Sequence, residues 1–379
     1  MKAIINGKII TKDKVIEDKI LLFDEKIVDF CDEVDKDIEI IDANGLYVSP
    51  GLIDIHIHGS NNFDTMDKDD RAVQIIGESI KKTGVTSFLP TTMTMDKDDI
   101  YSALDNIRKL MNRKYNGAQV VGAHLEGPFI NNKYKGAQNN KYIQSPSFSF
   151  IENYTDVIKV ISYSPEIDLD FNFTKEVKEK TDIVLSLAHT NATYNEAKSS
   201  ISHGASNITH LFNAMTPLNH REMGVVGAAL TTDVYCEMIC DNIHVNPDLY
   251  QFVIDNKGKD KLVLVTDSMR AGCMADGKYD LGGQDVFVKD NAARLASGNL
   301  AGSVLTLNKG VYNFMKNTDI SIYEAINLAS LNPAKSINID DKKGSLEINK
   351  DADIALFDEE MNCYMSISQG EIIFNNLNQ

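Results

Sequence analysis

The chain has 379 residues, with 38 Lys and Arg against 55 Asp and Glu, and its formal net charge is −17. Nucleic acids and anionic membranes attract clustered basic side chains, so this acidic composition argues against both as partners. No apolar run approaches the ~18 residues that a membrane-spanning helix needs, and the first ten residues lack the pattern of a signal peptide. The five cysteines are an odd number spread along the chain, which favours a reducing compartment, so we expect a cytoplasmic protein.

Short β-branched runs, separated by polar residues or glycine, occupy both ends of the chain and predict strands. They are Lys2–Ile5, Lys8–Thr11, Ile20–Phe23, Ile27–Phe30, Ile38–Ile41, Ala352–Phe357 and Glu371–Phe374. We therefore expect one small β-sandwich domain that is built from residues 1–48 together with residues 340–379. Two unrelated β extensions would produce the same pattern.

The middle of the chain, residues 49–339, alternates between strand-like and helix-like segments. Eight strand-like runs are present, at Leu52–Ile57, Thr86–Pro90, Val120–Leu125, Val157–Ser162, Ile183–Ala188, Asn207–Phe212, Tyr235–Cys240 and Leu262–Thr266. A doubly wound sheet would also alternate, but it does not need eight strands, so the pattern predicts an α/β fold of the (β/α)8 TIM-barrel type. The Gly-rich segment Tyr279–Leu300 follows the eighth strand and is predicted to form an inserted hairpin.

Side chains that bind metal ions stand at the ends of several predicted barrel strands. They are His56, His58, Glu126, His189, His210 and Asp267. The carboxyl ends of the strands meet at one face of a barrel, where such proteins keep their active sites, so these side chains should converge there. One His-x-His pair is a weak signal, but ligand-type residues at five strand ends predict a site for a divalent metal such as Zn, Fe, Mn or Co.

The run Pro50–Gly59 resembles the opening motif of the amidohydrolase superfamily. Further motifs resemble its N-acetylglucosamine-6-phosphate deacetylase family, and they cover nearly the whole chain. These are His124–Pro128, Lys135–Gln138, His189–Tyr194, Thr209–Pro217 with His220-Arg221, Gly224–Leu230, Asp276–Gly283 and Leu300–Ser303. The resemblance implies a hydrolase of amino-sugar catabolism that converts N-acetylglucosamine 6-phosphate to glucosamine 6-phosphate and acetate. It also implies a homodimer in which the neighbouring subunit completes the phosphate site.

The same resemblance assigns roles to individual residues. Glu126, His189 and His210 match the metal ligands, and Asp267 matches the catalytic acid and base. Because the chain keeps His56 and His58, a second metal ion is possible, with Glu126 as the bridge. Positions that bind the sugar or its phosphate match Ala137, Gln138, Asn213, Ala214, Arg221, His244, Leu300, Ala301 and Gly302.

Two positions depart from the family pattern. Some members have His where this chain has Gln138, at a position that helps to polarise the substrate carbonyl. An amide N–H can donate a hydrogen bond there, but it cannot carry charge. Many members have Gly where this chain has Asn242, and Gly tolerates a positive φ more readily than Asn does.

Other functions are compatible with parts of the pattern. A deacetylase for N-acetylgalactosamine 6-phosphate would share most of the motifs. Cyclic amidases share the His-x-His pair, but they usually hold two metals with a carboxylated Lys on strand 4, and that strand ends here in Ser162-Tyr163-Ser164-Pro165. A non-enzymatic barrel relative should have lost ligands that this chain keeps. Arg221 could also be an ordinary solvated surface charge.

Overall fold

The computed structural model describes residues 1–111 and 113–377, and its centre is a ring of parallel strands. Among the described residues, barrel strands 1 to 8 are Leu52–Ile57, Val85–Pro90, Ala123–Glu126, Ile158–Tyr163, Val184–Leu187, Asn207–Ile208, Tyr235–Ile239 and Leu262–Val265. Strands 1 and 2 pair in parallel, as do strands 3 to 8 in order. Parallel bridges from Thr91 to His124 and from Ile57 to Ser268 close the ring, which confirms the predicted (β/α)8 barrel.

Helices surround the barrel and pack apolar side chains against it. Their bounds are Ala72–Ile80, Lys97–Met111, Phe148–Ile151, Asn172–Lys180, Tyr194–His203, Gly224–Thr231, Asp248–Lys257, Leu307–Lys316, Ile322–Leu328 and Leu331–Ser336. In the second of these helices, the buried residues recur every three or four positions, which is the apolar stripe of an amphipathic helix. Within the part of the chain that the structure describes, no helix has both the length and the apolar character needed to cross a membrane.

The alternation of side chains along the strands divides the barrel core into two parts. Outward-facing residues such as Ile161, Leu185 and Met238 pack against the helices in the largest apolar cluster. Residues of strands 1, 2, 4, 5, 7 and 8 contribute to a second cluster inside the ring, with Val160, Val184, Ile239, Val263 and Val265 among them. This packed interior gives the side chains at the carboxyl ends of the strands a rigid base.

The two ends of the chain form a β-sandwich, as predicted. One sheet contains Ile27–Cys31, Ile20–Phe23, Lys2–Ile5 and Glu39–Asp42; the other contains Glu371–Asn375, Cys363–Ser368, Ile354–Phe357, Tyr47–Pro50, Lys8–Ile10 and Val15–Ile16. Apolar side chains from both sheets, including Ile4, Phe23, Val48, Leu356 and Ile367, form its core. The domain boundaries near residues 48 and 340 stay a prediction.

The insertion after barrel strand 8 contains the predicted hairpin, but a further strand extends it to a three-stranded antiparallel sheet. Its strands are Gly277–Leu281, Gln284–Lys289 and Ala292–Leu295. The second turn consists of Asp290 and Asn291, both with positive φ (51° and 62°), which is the geometry of a tight hairpin turn. Asp290 and Asn291 are the sequence signal from which the third strand could have been predicted. Of the other short strands, Gln119–Val120 pairs in parallel with barrel strand 2, and Gly59–Ser60 pairs with Phe63–Asp64.

Candidate active site

Six predicted side chains meet at the carboxyl face of the barrel, beside a cavity of about 480 Å³. They are His56, His58, Glu126, His189, His210 and Asp267, and all six residues are buried. His56 and Glu126 lie on barrel strands 1 and 3, and His58 directly follows strand 1. His189, His210 and Asp267 follow strands 5, 6 and 8, each after one further residue. The strand-end pattern therefore predicted a real cluster.

Three members of this cluster have an unusual backbone. His189, His210 and Asp267 adopt positive φ values of 44°, 36° and 49°. Non-glycine residues rarely occupy this region, and such strain of about 1–3 kcal/mol persists where the surrounding structure imposes it, often at functional sites. Because each residue lies close after a strand, the left-handed turn directs its side chain towards the cavity instead of continuing the strand.

The Glu126 carboxylate lies at the centre of the cluster. Its Oε1 is 3.2 Å from Nε2 of His210, 3.3 Å from Nε2 of His189 and 3.5 Å from Nε2 of His56. Its Oε2 is 3.3 Å from Nε2 of His58. Asp267 Oδ1 lies 3.3 Å from the His58 ring and 3.5 Å from the His56 ring. Ring nitrogens thus surround the carboxylates from several sides.

Hydrogen bonds on the far side of three imidazoles fix which nitrogen carries the proton. In each case Nδ1 faces an oxygen that can only accept, and the acceptors are Glu237 Oε2 for His56 at 2.9 Å, the Thr91 carbonyl for His58 at 3.2 Å and the Tyr134 carbonyl for His189 at 2.9 Å. When these imidazoles are neutral, their Nε2 atoms are therefore unprotonated acceptors. Their lone pairs then point at carboxylate oxygens.

With neutral imidazoles, the Nε2 lone pairs and the carboxylate oxygens repel each other unless a cation lies between them. The residues fit a metal ion, because ligands about 2.1 Å from a tetrahedral centre lie about 3.4 Å apart, close to the separations observed here. The buried Nε2 of His56 has no hydrogen-bond partner among the described residues. Imidazole with carboxylate suits Zn, Fe, Mn or Co. Two groups could each hold an ion, and they share Glu126: His56 with His58, and His189 with His210.

The ionisation of the cluster reflects the same electrostatics. Burial opposes protonation of His56, but Asp267 and Glu126 outweigh it and raise the pKa of His56 to about 9. Burial likewise opposes the charge on Asp267, but His56 and His58 outweigh it and lower the pKa of Asp267 to about 2. The site thus has a strong negative potential that favours a cation, and Asp267 is ionised at neutral pH.

Most residues predicted to bind the sugar line this cavity. They are Ala137, Gln138, Asn213, Ala214, His244, Leu300 and Gly302. Nδ1 of His244 donates to Asp241 Oδ2 at 2.7 Å, which leaves Nε2 of this ring free to contact a ligand. The Ala301 side chain does not line the cavity; it is buried in an apolar cluster with Met93 and Met269, which leaves only its backbone to meet a ligand.

Arg221 lies apart from these residues. It is exposed and does not line the cavity of the single chain. Two lysines to which no role was assigned from the sequence, Lys133 and Lys135, do line it. Both follow barrel strand 3, which carries Glu126, so a cation in the loop after a ligand-bearing strand is a signal that could have identified them.

The two departures from the family pattern have specific surroundings. Gln138 is held at both ends, because Oε1 accepts from the Thr94 N–H at 2.7 Å and Nε2 donates to Glu126 Oε2 at 2.6 Å. Its second amide hydrogen remains for a ligand. Asn242 does adopt a positive φ, 63°, and the Tyr250 hydroxyl contacts both its backbone N–H and its side-chain oxygen. This position thus has the positive φ that favours Gly, although the residue here is Asn.

A further carboxylate, Glu166, ties the loops of the site together, and nothing in the sequence pointed to it. It accepts hydrogen bonds from Asn131 Nδ2 at 2.9 Å, from Thr190 Oγ1 at 2.6 Å and from the Asn191 N–H at 2.6 Å. These donors lie on the loops after barrel strands 3 and 5. Glu166 therefore joins the loop that contains Lys133 and Lys135 to the segment that follows His189.

Comparisons with known proteins agree with this geometry. Residues 47–376 match the amidohydrolase family. The N-acetylglucosamine-6-phosphate deacetylase of Bacillus subtilis (strain 168) is 38% identical over 86% of this chain and 84% of its own. The N-acetylgalactosamine-6-phosphate deacetylase of Escherichia coli O157:H7 is 32% identical over 88% of this chain and 90% of its own. The crystal structure of the Pasteurella multocida N-acetylglucosamine-6-phosphate deacetylase superposes with a TM-score of 0.93 at 31% identity, covering 98% of this chain and 99% of that one.

Proposed function

We propose that this chain, which belongs to the amidohydrolase family and within it to the N-acetylglucosamine-6-phosphate deacetylases, hydrolyses the acetamide of N-acetylglucosamine 6-phosphate. The products are glucosamine 6-phosphate and acetate. The observation that carries the proposal is the convergence of four histidines and two carboxylates at the edge of a cavity of about 480 Å³. This volume is large enough for a sugar phosphate.

Asp267 is the residue that moves protons in this proposal. Its carboxylate is ionised at neutral pH, because its pKa is lowered to about 2, and it lines the cavity. It therefore accepts a proton from the attacking water and later gives a proton to the leaving amine. The free N–H of Gln138 lies beside Glu126 and donates to the acetyl oxygen, as a neutral donor in place of an imidazolium.

Glu126, His189 and His210 would hold one divalent ion, and His56 and His58 would hold a second one with Glu126 shared. When bound, such an ion supplies a Lewis acid and lowers the pKa of water at the site. The choice among Zn, Fe, Mn and Co is not determined by a set of imidazoles and carboxylates.

The phosphate of the substrate needs local cations, because a net charge of −17 gives no long-range attraction. Lys133 and Lys135 line the cavity. Burial opposes protonation of His244, but its hydrogen bond to Asp241 outweighs burial and raises the pKa of the ring, and the protonated ring offers an Nε2–H to the cavity. Arg221 lies outside the cavity of its own chain, so its proposed phosphate role needs the cavity of a second subunit in a homodimer. Leu218 and Met223, which flank Arg221 in the sequence, expose 46% and 36% of their surface, so this segment is suited to a subunit contact.

Two further proposals concern the cellular compartment and a second candidate substrate. The five cysteines are all free thiols, which fits the cytoplasm. N-acetylgalactosamine 6-phosphate is the second candidate substrate, since a deacetylase of that sugar is 32% identical to this chain, compared with 38% for the relative that acts on the gluco sugar.

The test is a substrate panel with the purified, metal-loaded protein. We expect kcat/KM to be highest for N-acetylglucosamine 6-phosphate, lower for the galacto phosphate and much lower for unphosphorylated N-acetylglucosamine. A higher kcat/KM for the galacto phosphate would make N-acetylgalactosamine 6-phosphate the substrate instead. Equal kcat/KM for the phosphorylated and unphosphorylated sugars would contradict a phosphate site.

A further inference from the structure

Glu237 is a buried carboxylate behind the metal cluster, and the mechanism above does not use it. It lies on barrel strand 7 and is 1% exposed. Its Oε2 accepts from Nδ1 of His56 at 2.9 Å, and the backbone N–H of His210 lies 3.4 Å from the same oxygen. Glu237 therefore touches one member of each of the two candidate metal groups.

The charge on this carboxylate lacks ordinary compensation. Within the described residues, no Lys or Arg forms an ion pair with Glu237, and its Oε1 has no hydrogen-bond partner. A buried, unpaired carboxylate is costly, so such groups are paired with a cation in folded proteins. Among the residues that the structure describes, the only positive charge that can reach Glu237 through a hydrogen bond is one held by the His56 ring.

We propose that Glu237 is a positioning residue that holds His56 as a metal ligand. Its hydrogen bond keeps the proton of His56 on Nδ1 and turns the Nε2 lone pair towards Glu126 and Asp267. A carboxylate behind a ligating imidazole also makes that imidazole a stronger donor, and removal of such a partner typically lowers metal affinity 10- to 100-fold. The inference rests on the proposed metal-dependent function and explains why His56 is available to a second ion.

The surroundings of the neighbouring histidine support this assignment. His124 lies 4.7 Å from His56 between ring centroids, but both of its nitrogens are engaged: Nδ1 donates to the Ile55 carbonyl, and Nε2 accepts from the Ser162 hydroxyl. His124 is therefore not free to bind an ion beside Glu237. Of these two imidazoles, Glu237 thus acts through that of His56.

A double-mutant cycle on zinc affinity tests the proposal. Metal-free chains carrying Glu237→Ala, His56→Ala or both are titrated with Zn²⁺ against a competing chelator, with thermal unfolding as the folding control. Cys236→Ala is the matched control, since it is buried on the same strand but faces the helices. Glu237→Gln keeps an acceptor oxygen for His56 and is the conservative variant.

We expect Glu237→Ala to weaken the zinc site that contains His56 by 10- to 100-fold, Glu237→Gln to weaken it less, and Cys236→Ala to leave it unchanged. In the His56→Ala background, Glu237→Ala should have no further effect, because its partner is gone. Equal effects of Glu237→Ala with and without His56, or no effect at all, would overturn the role of Glu237 and leave the proposed function intact. Absence of zinc binding by the unmodified chain would overturn both.

Discussion

The carbonyl oxygen of Tyr134 accepts a hydrogen bond from Nδ1 of His189 at 2.9 Å. Tyr134 belongs to a loop that lines the cavity, and His189 is a proposed metal ligand, so one contact couples the substrate wall to the metal site. The His189 carbonyl is held in turn by the Asn131 N–H at 2.9 Å and the Ser164 hydroxyl at 2.6 Å. These contacts maintain the positive φ of His189.

Glu166→Ala should disturb both sides of this coupling. The change removes three hydrogen bonds that join the loops after barrel strands 3 and 5. We expect about a tenfold loss of metal affinity, which is typical when a residue that supports a metal ligand is removed. We also expect a higher KM for the sugar phosphate. Glu179→Gln, an exposed change elsewhere, is the control. A normal KM and normal metal affinity in the folded Glu166 variant would refute the coupling.

Asp267→Asn should bind metal and substrate but lose turnover by about 10³-fold, because an amide cannot accept and return a proton. The low pKa of Asp267, about 2, means that the unmodified residue is a carboxylate throughout the neutral range. Single-turnover rates, with metal content and substrate affinity measured on the same sample, check this. Near-normal turnover in a correctly folded variant would show that Asp267 is not the catalytic acid and base.

Metal binding should release protons. In the metal-free chain the pKa of His56 is raised to about 9, so the ring is protonated at neutral pH and must lose a proton before Nε2 can bind an ion. Apparent metal affinity should therefore rise with pH until about 9. Calorimetric titrations in two buffers of different ionisation enthalpy count the protons. An affinity that is flat across the neutral range would show that His56 is not a ligand.

Arg221→Ala should reduce kcat/KM on the phosphorylated sugar and hardly affect the unphosphorylated one. Loss of one charge-assisted contact costs about 1.5–3 kcal/mol, or roughly 10- to 150-fold. Since Arg221 lies outside the cavity of its own chain, mixing this variant with Asp267→Asn chains should restore partial activity in heterodimers. Equal losses on both sugars would make Arg221 structural.

Sequence patterns predicted the parts of the molecule that depend on neighbours along the chain. Barrel strand 1 was predicted at its observed bounds, Leu52–Ile57, because buried β-branched residues make a strong local signal. The metal cluster followed from the rule that carboxyl ends of parallel strands converge. The domain boundaries and the roles of single site residues remain predictions.

The features that the sequence did not predict depend on contacts that a linear pattern does not encode. Glu237 meets His56 across 181 positions of the chain, and nothing in the run Tyr235–Ile239 marks its Glu as a partner of a histidine. The strand Cys363–Ser368 was missed because it mixes polar and apolar residues and gains its stability from two neighbouring strands. Arg221 was selected by motif, yet it lies outside the cavity of its own chain, and a linear pattern does not encode the proposed contact with a second subunit.

The central claim is that this chain is a metal-dependent deacetylase, and acetate release tests it most directly. The chain is stripped with a chelator and reloaded stepwise with Zn²⁺, and acetate from N-acetylglucosamine 6-phosphate is measured with metal per chain counted in the same samples. We predict no release from the stripped chain and a rate that rises with metal content until the site is filled. Full activity in the stripped chain, or no acetate from the loaded chain, would contradict the claim.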